Sequence, residues 1–262
     1  MSTNPDGGAP EPALSPAIQN HAMAKDNLQP MGWTSENVAG DFSISRESMD
    51  RFAANSFQKA QRAQEAGWTT DEIAPIRVNY TDPKTGSTST ITVDKDDGIR
   101  PNTTAEGLSK VRAAFPQWAP SHTTGGNASQ ITDGAAAVLL MKRSTAEKLG
   151  QTILARLVQT TVVGLEPRIM GIGPYYAIPK LLEKTGLRKE DVDVFEINEA
   201  FASMVRKMFS LSGLPRYLNS LLIQSQGVYC TEKLELDMSK VNPRGGAMYV
   251  SAIAPRRVHT DI

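Results

Sequence analysis

From Ser45 the chain falls into a helical rhythm, with Met49, Phe52, Ser56, Ala60 and Ala63 recurring every three or four residues until Gly67 interrupts it. Apolar and small side chains at that spacing share one helix face, Ser45 is a suitable N-cap, and the pattern predicts an amphipathic helix of about 20 residues. Between Ile76 and Val93 the rhythm changes to β-branched residues around Asp82-Pro83-Lys84-Thr85-Gly86, which predicts a half-exposed hairpin. A short helix is expected around Leu108 to Phe115. The stretch His122 to Ser129 holds Gly125-Gly126-Asn127 and is too rich in glycine for a regular element.

In the second half, the apolar run Ala135 to Met141 reads as a buried strand, and Ser144 to Leu149 as a helix stopped by Gly150. Ile153 to Val163 is a second β-rich run. Pro179 suits the first turn of a helix that reaches Thr185, with Gly186 as its left-handed stop. Val192 to Ile197 alternates apolar and acidic residues as a strand and hands over to a helix starting near Asn198. Alternating strands and helices imply an α/β layered domain in this half, with a mixed cap before residue 130. Residues 1 to 16, rich in Gly, Pro, Ser and Ala, read as a disordered tail.

Charge narrows the choice of partner. Lys and Arg number 28 and so do Asp and Glu, so no basic excess favours nucleic acid. No apolar stretch approaches the roughly 18–20 residues that span a bilayer, so no membrane role is expected. The first 24 residues hold Asp6 and Glu11 but no Lys or Arg, unlike a secretory or mitochondrial leader, and Thr260-Asp261-Ile262 is not a Ser-Lys-Leu-type address. Cys230 is the only cysteine, and the histidines at 21, 122 and 259 lack metal-ligand spacing, so neither a disulfide nor a zinc site is expected.

The segment richest in candidate chemistry is Asn198-Glu199-Ala200-Phe201-Ala202, where an apolar strand is expected to end. Ligands of open α/β sheets gather at such strand ends, where an Asn can orient a water or support an oxyanion. An Asn or Glu at a helix start is more often just a cap. The glycine loops Gly125–Ser129 and Met170–Pro174 match no phosphate-binding fingerprint, and turns account for most such glycines.

Taken in order, Met31-Gly32-Trp33-Thr34-Ser35-Glu36-Asn37-Val38, Asp97-Gly98-Ile99-Arg100-Pro101, Gly126-Asn127-Ala128-Ser129, Asp133-Gly134-Ala135-Ala136, Met170-Gly171-Ile172-Gly173-Pro174, Asn198-Glu199-Ala200-Phe201 and Asn242-Pro243-Arg244-Gly245-Gly246-Ala247 resemble the thiolase family. The hairpin followed by Asp-Gly-Ile-Arg-Pro is most like the peroxisomal 3-ketoacyl-CoA thiolases of fatty acid β-oxidation. The resemblance implies a partial copy of an α/β/α/β/α thiolase-like layered fold. Residues 17–131 would be the loop domain that cradles coenzyme A and 132–150 the end of the N-terminal half. Residues 151–247 would be part of the C-terminal half.

It also implies acyl transfer from 3-ketoacyl-CoA to coenzyme A, with coenzyme A as substrate and no metal or redox cofactor, a homo-oligomer, and a peroxisomal setting. By family match, Met31, Arg100, Ala114, Phe115, Ser129 and Ile131 line the coenzyme A groove, with Arg100 facing nucleotide phosphate. Met170 and Phe201 lie near the acyl pocket, and Asn198 holds a water in the oxyanion site.

The pattern also fails in places. Thiolases use a nucleophilic cysteine, a histidine base in a Gly-His-Pro motif and a second cysteine, and none of the three is matched here. Gly246-Ala247 is followed by Met248-Tyr249-Val250-Ser251, and Cys230 matches a packed helix residue. Residues 205–226 and 248–262 have no family counterpart and are expected to be translated introns. The chain thus reads as a catalytically incomplete acyltransferase fragment. The rival readings are a non-catalytic acyl-CoA-binding or partner-regulating module and the inert remnant of a mis-spliced gene.

Overall fold

The structure is a computed structural model that describes residues 15–96, 98–130, 135–204, 230–231 and 234–246. Most of the expected tail, Ile131, the segment 205–226 and the stretch 248–262 lie outside the described residues. Pro16 already opens a short helix, α1 (Pro16–Asn20), which leads into α2 (Ala22–Asp26) and α3 (Met31–Asp41).

The long helix forms as its pattern requires. In α4 (Arg46–Glu65) the hydroxyl of Ser45 accepts from the Ser48 amide, and Gly67 adopts φ +70 where the chain turns away. Met49, Phe52, Ser56, Ala60 and Ala63 are all buried, and so are Asp50, Ala53, Ala54 and Phe57. Burial extends well beyond a single stripe, so α4 is packed from several sides. Val38, Ala39, Ile44, Leu108, Ile172, Ala202 and Cys230 complete the core around it. The Cys230 thiol is pushed up to about 12 by burial.

Strands β1 (Ile76–Thr81) and β2 (Thr88–Val93) pair antiparallel from Ile76 opposite Val93 to Thr81 opposite Thr88. Asp82 shapes the turn, its Oδ1 accepting from the amides of Lys84 at 2.7 Å and Thr85 at 3.2 Å, as an Asx turn does. The ribbon is exposed on both faces apart from partly buried Val78, so less of it is covered than its alternation suggests.

Further on, local signals compete with tertiary pairing. The short helix α5 spans Ala105–Ser109, earlier than expected, because Thr104 caps it and residues 113–114 are drawn into pairing with 123–124. Helix α6 (Arg143–Lys148) ends where Gly150 takes φ +63. Helix α7 runs from Gly173 to Thr185 and stops at left-handed Gly186. It is Pro174 that sits in its first turn; Pro179 lies inside the helix at an exposed position, where it removes one i→i−4 hydrogen bond.

Two corrections concern strands. Neither 135–141 nor 153–163 pairs with another strand among the described residues, and most of their apolar side chains are exposed instead of buried. A strand needs a neighbour for its ladder, and β1–β2 is the only sheet among the described residues. The third correction is at Asn198, where no helix begins. Phe195 instead pairs in parallel with Val241, the Ser129 amide donates to the Ala200 carbonyl, and the Ala202 amide donates to the Asn127 carbonyl. With the backbone committed sideways, a 3₁₀ turn at Ala202–Met204 follows. Phe195, Ile197, Leu236 and Val241 form a second, smaller core beside it.

Candidate functional site

The glycine-rich strip 122–129 lies where α3, α4 and the segment 195–204 meet, and buried polar side chains hold it on each side. On the α3 side, Glu36 is fully buried and accepts from the Thr123 amide at 2.7 Å and the His122 amide at 3.1 Å. Its Oε2 also meets His122 Nδ1 at 3.2 Å. Burial raises the Glu36 pKa, but the hydrogen bonds from the His122 side chain and the two backbone amides outweigh it, leaving the carboxyl below its ordinary range. Ser35, one residue earlier, links Thr123 at 2.9 Å to Ser203 at 2.8 Å.

On the α4 side, Asp50 accepts from Asn127 Nδ2 at 2.9 Å and from Arg46 Nε at 2.7 Å. Asn127 also donates to the His122 carbonyl and accepts from the Thr124 amide, so its side chain closes the loop on itself. A loop so rich in glycine is held in one shape by two buried carboxylates and one buried amide.

A second anchor lies around Glu199, which is 2% exposed. Ser56 of α4 donates to it at 2.5 Å and Asn242 Nδ2 at 2.6 Å. Asn242 bonds both polar groups of Ile197, and Lys59 donates to the carbonyls of Val241 and Met238. Burial pulls the Lys59 ammonium below its ordinary value despite the opposing charges of Glu199 and Glu196. The turn 242–246 sits so close that a side chain on Gly246 would overlap the Glu199 carboxylate, and one on Gly245 would meet the α4 backbone at Ser56. Glycine is demanded at both positions.

The sequence-derived site residues are distributed over this frame in linked groups. Met31 opens α3 and is half exposed, and the partly buried Phe115 ring lies against Gly32, where a Cβ would fall 2.1 Å from the ring. Ala114 donates its amide to the Thr123 carbonyl at 2.9 Å. Ser129 and Phe201 meet across the strip, since Ala128 pairs with Phe201 and the Ser129 amide donates to Ala200 at 2.8 Å. Arg100 is exposed on the segment that Gln130 reaches by donating to the Gly98 carbonyl at 3.2 Å.

Met170 is half exposed on the 3₁₀ stretch Pro167–Ile172, which is tied to α3 by Asn37 donating to the Arg168 carbonyl and by the Arg168–Asp41 ion pair. Asn198 is exposed beside buried Glu199. Ile131 falls outside the described residues.

Sequence reasoning passed over the residues that hold this frame. Glu36, Asp50, Asn127, Glu199 and Asn242 are buried and hydrogen-bonded, whereas the residues singled out for chemistry line its more accessible side. A usable signal was present: acidic and amide side chains inside otherwise apolar or glycine-rich motifs are costly unless paired.

Residues 11–144 match the thiolase N-terminal domain and residues 151–215 the thiolase C-terminal domain, the second match ending within 205–226. The chain belongs to the thiolase family. Within it, the chain resembles the peroxisomal 3-ketoacyl-CoA thiolases. It is 52% identical over 235 residues to the Homo sapiens protein, covering 90% of this chain and 50% of that one. To the Yarrowia lipolytica protein it is 49% identical over 237 residues, covering 90% of this chain and 51% of that one.

Its fold matches the dimeric peroxisomal thiolase of Saccharomyces cerevisiae with a TM-score of 0.74 at 44% identity, covering 97% of this chain and 55% of that chain. The chain therefore spans about half the length of the curated relatives it matches. The thiolase-like fold is present as a partial copy.

Proposed function

We propose that this chain carries the coenzyme A-binding face of a thiolase-type acyltransferase and does not complete thiolysis by itself. The reaction to which that face belongs is 3-ketoacyl-CoA plus CoA giving acyl-CoA plus acetyl-CoA. The carrying observation is the juxtaposition of Met31 and Phe115 with Ala114, Ser129 and Phe201 around the rigid strip 122–129. That arrangement offers a half-exposed apolar wall beside backbone polar groups, suited to the amides and methylenes of a pantetheine arm.

Exposed Arg100 suits the nucleotide phosphates, since a guanidinium binds them through charge-assisted hydrogen bonds. Ile131 extends this surface by family match, Met170 and Phe201 border the acyl group, and Asn198 contributes to the oxyanion site. Coenzyme A enters as substrate, and the reading calls for no metal or redox cofactor. A peroxisomal setting and a homo-oligomer follow the relatives named above.

Incompleteness has its own support. A thiolase nucleophile must be available as a thiolate, and the only sulfur of this kind in the sequence is Cys230. It is buried in the core, with its thiol pushed up to about 12. Calorimetric titration of the purified chain with coenzyme A tests the reading, with saturable one-site binding expected. Acetoacetyl-CoA cleavage by the same sample is expected to be undetectable. An absence of binding would favour an inert remnant, and turnover would defeat the claim of incompleteness.

A further inference from the structure

Beside the proposed coenzyme A face, the chain makes an excursion between Ala114 and Ser121 whose base is well secured. Ala113 pairs with Thr124, the Ala114 amide donates to the Thr123 carbonyl, and the amides of His122 and Thr123 donate to buried Glu36. Beyond this base the support is different. Among the described residues, the one hydrogen bond made by residues 115–120 is local, from the Trp118 amide to the Phe115 carbonyl at 2.9 Å. Ala114, Pro116, Gln117, Ala119 and Pro120 are exposed, and only Phe115 and Trp118 of this stretch are partly buried.

The contacts that fix the excursion against α3 are made by these two rings, and both land on the first turn of that helix. The Phe115 ring lies against Gly32, and the Trp118 ring meets Trp33 with 5.6 Å between ring centroids and a tilt of 56°. A tilted pair at that separation is a favourable aromatic contact. Gly32, in contrast, offers the Phe115 ring a flat seat with no side chain to grip it.

We infer that Trp118 and Trp33 are positioning residues for coenzyme A: their contact holds the turn 115–118 down on α3 and so sets the Phe115 ring in the wall of the groove. The coupling is short, because Phe115 and Trp118 are the first and last residues of one hydrogen-bonded turn. With Trp118 released, the turn is free to lift away from α3 and carries Phe115 with it. The inference rests on the coenzyme A reading of this face.

The test compares the parent chain with Trp33→Ala, Trp118→Ala, the double variant and Trp118→Phe, by calorimetric titration with coenzyme A and thermal melts on the same samples. Each single alanine variant is expected to bind about fivefold more weakly, and the double variant no more weakly than either, because all three break one contact. Trp118→Phe keeps a ring against Trp33 and should stay within about twofold of the parent. One readout needs no ligand: amide exchange at Trp118 should quicken in Trp33→Ala, while that of Thr123, bonded to Glu36, is unchanged.

Unchanged affinity in the single variants, additive losses in the double variant, or unchanged exchange at Trp118 overturns the inference and leaves coenzyme A binding in place. A parent chain that binds no coenzyme A overturns the reading of the face, and the inference falls with it. Loss of cooperative melting in Trp118→Ala, with Trp118→Phe as weak in binding as a folded Trp33→Ala, makes the pair a structural contact and also defeats the inference.

Discussion

Ser56, midway along α4, donates its hydroxyl at 2.5 Å to Glu199, a residue 143 positions away in the chain. The same hydroxyl accepts from the Gly246 amide at 3.1 Å, so one serine joins the long helix to both the Asn198–Phe201 segment and the turn 242–246. Glu199→Ala removes the buried acceptor of the Ser56 hydroxyl and of one Asn242 Nδ2 hydrogen. The expected loss is about 2–4 kcal/mol in urea unfolding. Glu199→Gln preserves the volume and part of the bonding and should lose about half as much. Equal losses for the two variants would show that volume, not hydrogen bonding, sets the value of this contact.

Glu36 gives a pH signature. Its carboxylate is held below the ordinary value of 4.5 in the folded chain, so the unfolded chain takes up the proton first as acid is added. The stabilisation is therefore complete above pH 4.5 and is lost as the pH falls through the lower folded value. Unfolding midpoints should decline below pH 4.5, and Glu36→Gln should flatten that decline while lowering stability near neutrality. A variant whose acid slope equals that of the parent would refute this assignment.

Gly32 separates packing from binding. A methyl group there falls 2.1 Å from the far end of the Phe115 ring, which can swing aside more readily than backbone can move. Gly32→Ala is expected to cost about 1 kcal/mol or less in stability, because alanine also favours the helix. If Phe115 lines the coenzyme A groove, the displaced ring should weaken binding about fivefold, or about 1 kcal/mol. Calorimetry and thermal melts on one sample measure both quantities, and unchanged affinity would remove Phe115 from the groove.

Arg100 is exposed on a segment anchored by Gln130, so its replacement should leave the fold intact. Arg100→Gln is expected to weaken coenzyme A binding about tenfold, the value of one charge-assisted contact, and to reduce its salt dependence. Loss of affinity for dephospho-coenzyme A by the same factor would place Arg100 away from the ribose 3′-phosphate.

Capping and periodicity made much of the first half legible. Ser45, the repeat from Met49 to Ala63 and Gly67 define α4 through interactions spanning a few residues, and Asp82 and Gly86 define the hairpin turn in the same way. The family motifs were legible too. The start at Asn198 was misread because its signal for a helix is local, whereas the bonds that forestall the helix come from Ser129, Asn127 and Val241.

Sequence alone thus determined the helices with their own caps and stops, the hairpin, the membership of the thiolase family and the presence of a single cysteine. Only the tertiary structure decided that Glu36, Asp50 and Glu199 are the buried anchors of the strip and turn, and that 135–141 and 153–163 have no strand partner among the described residues. The division has a physical cause. Caps and helical periodicity act between residues a few positions apart, whereas a buried carboxylate or a β-ladder is satisfied only by groups that folding brings from far along the chain.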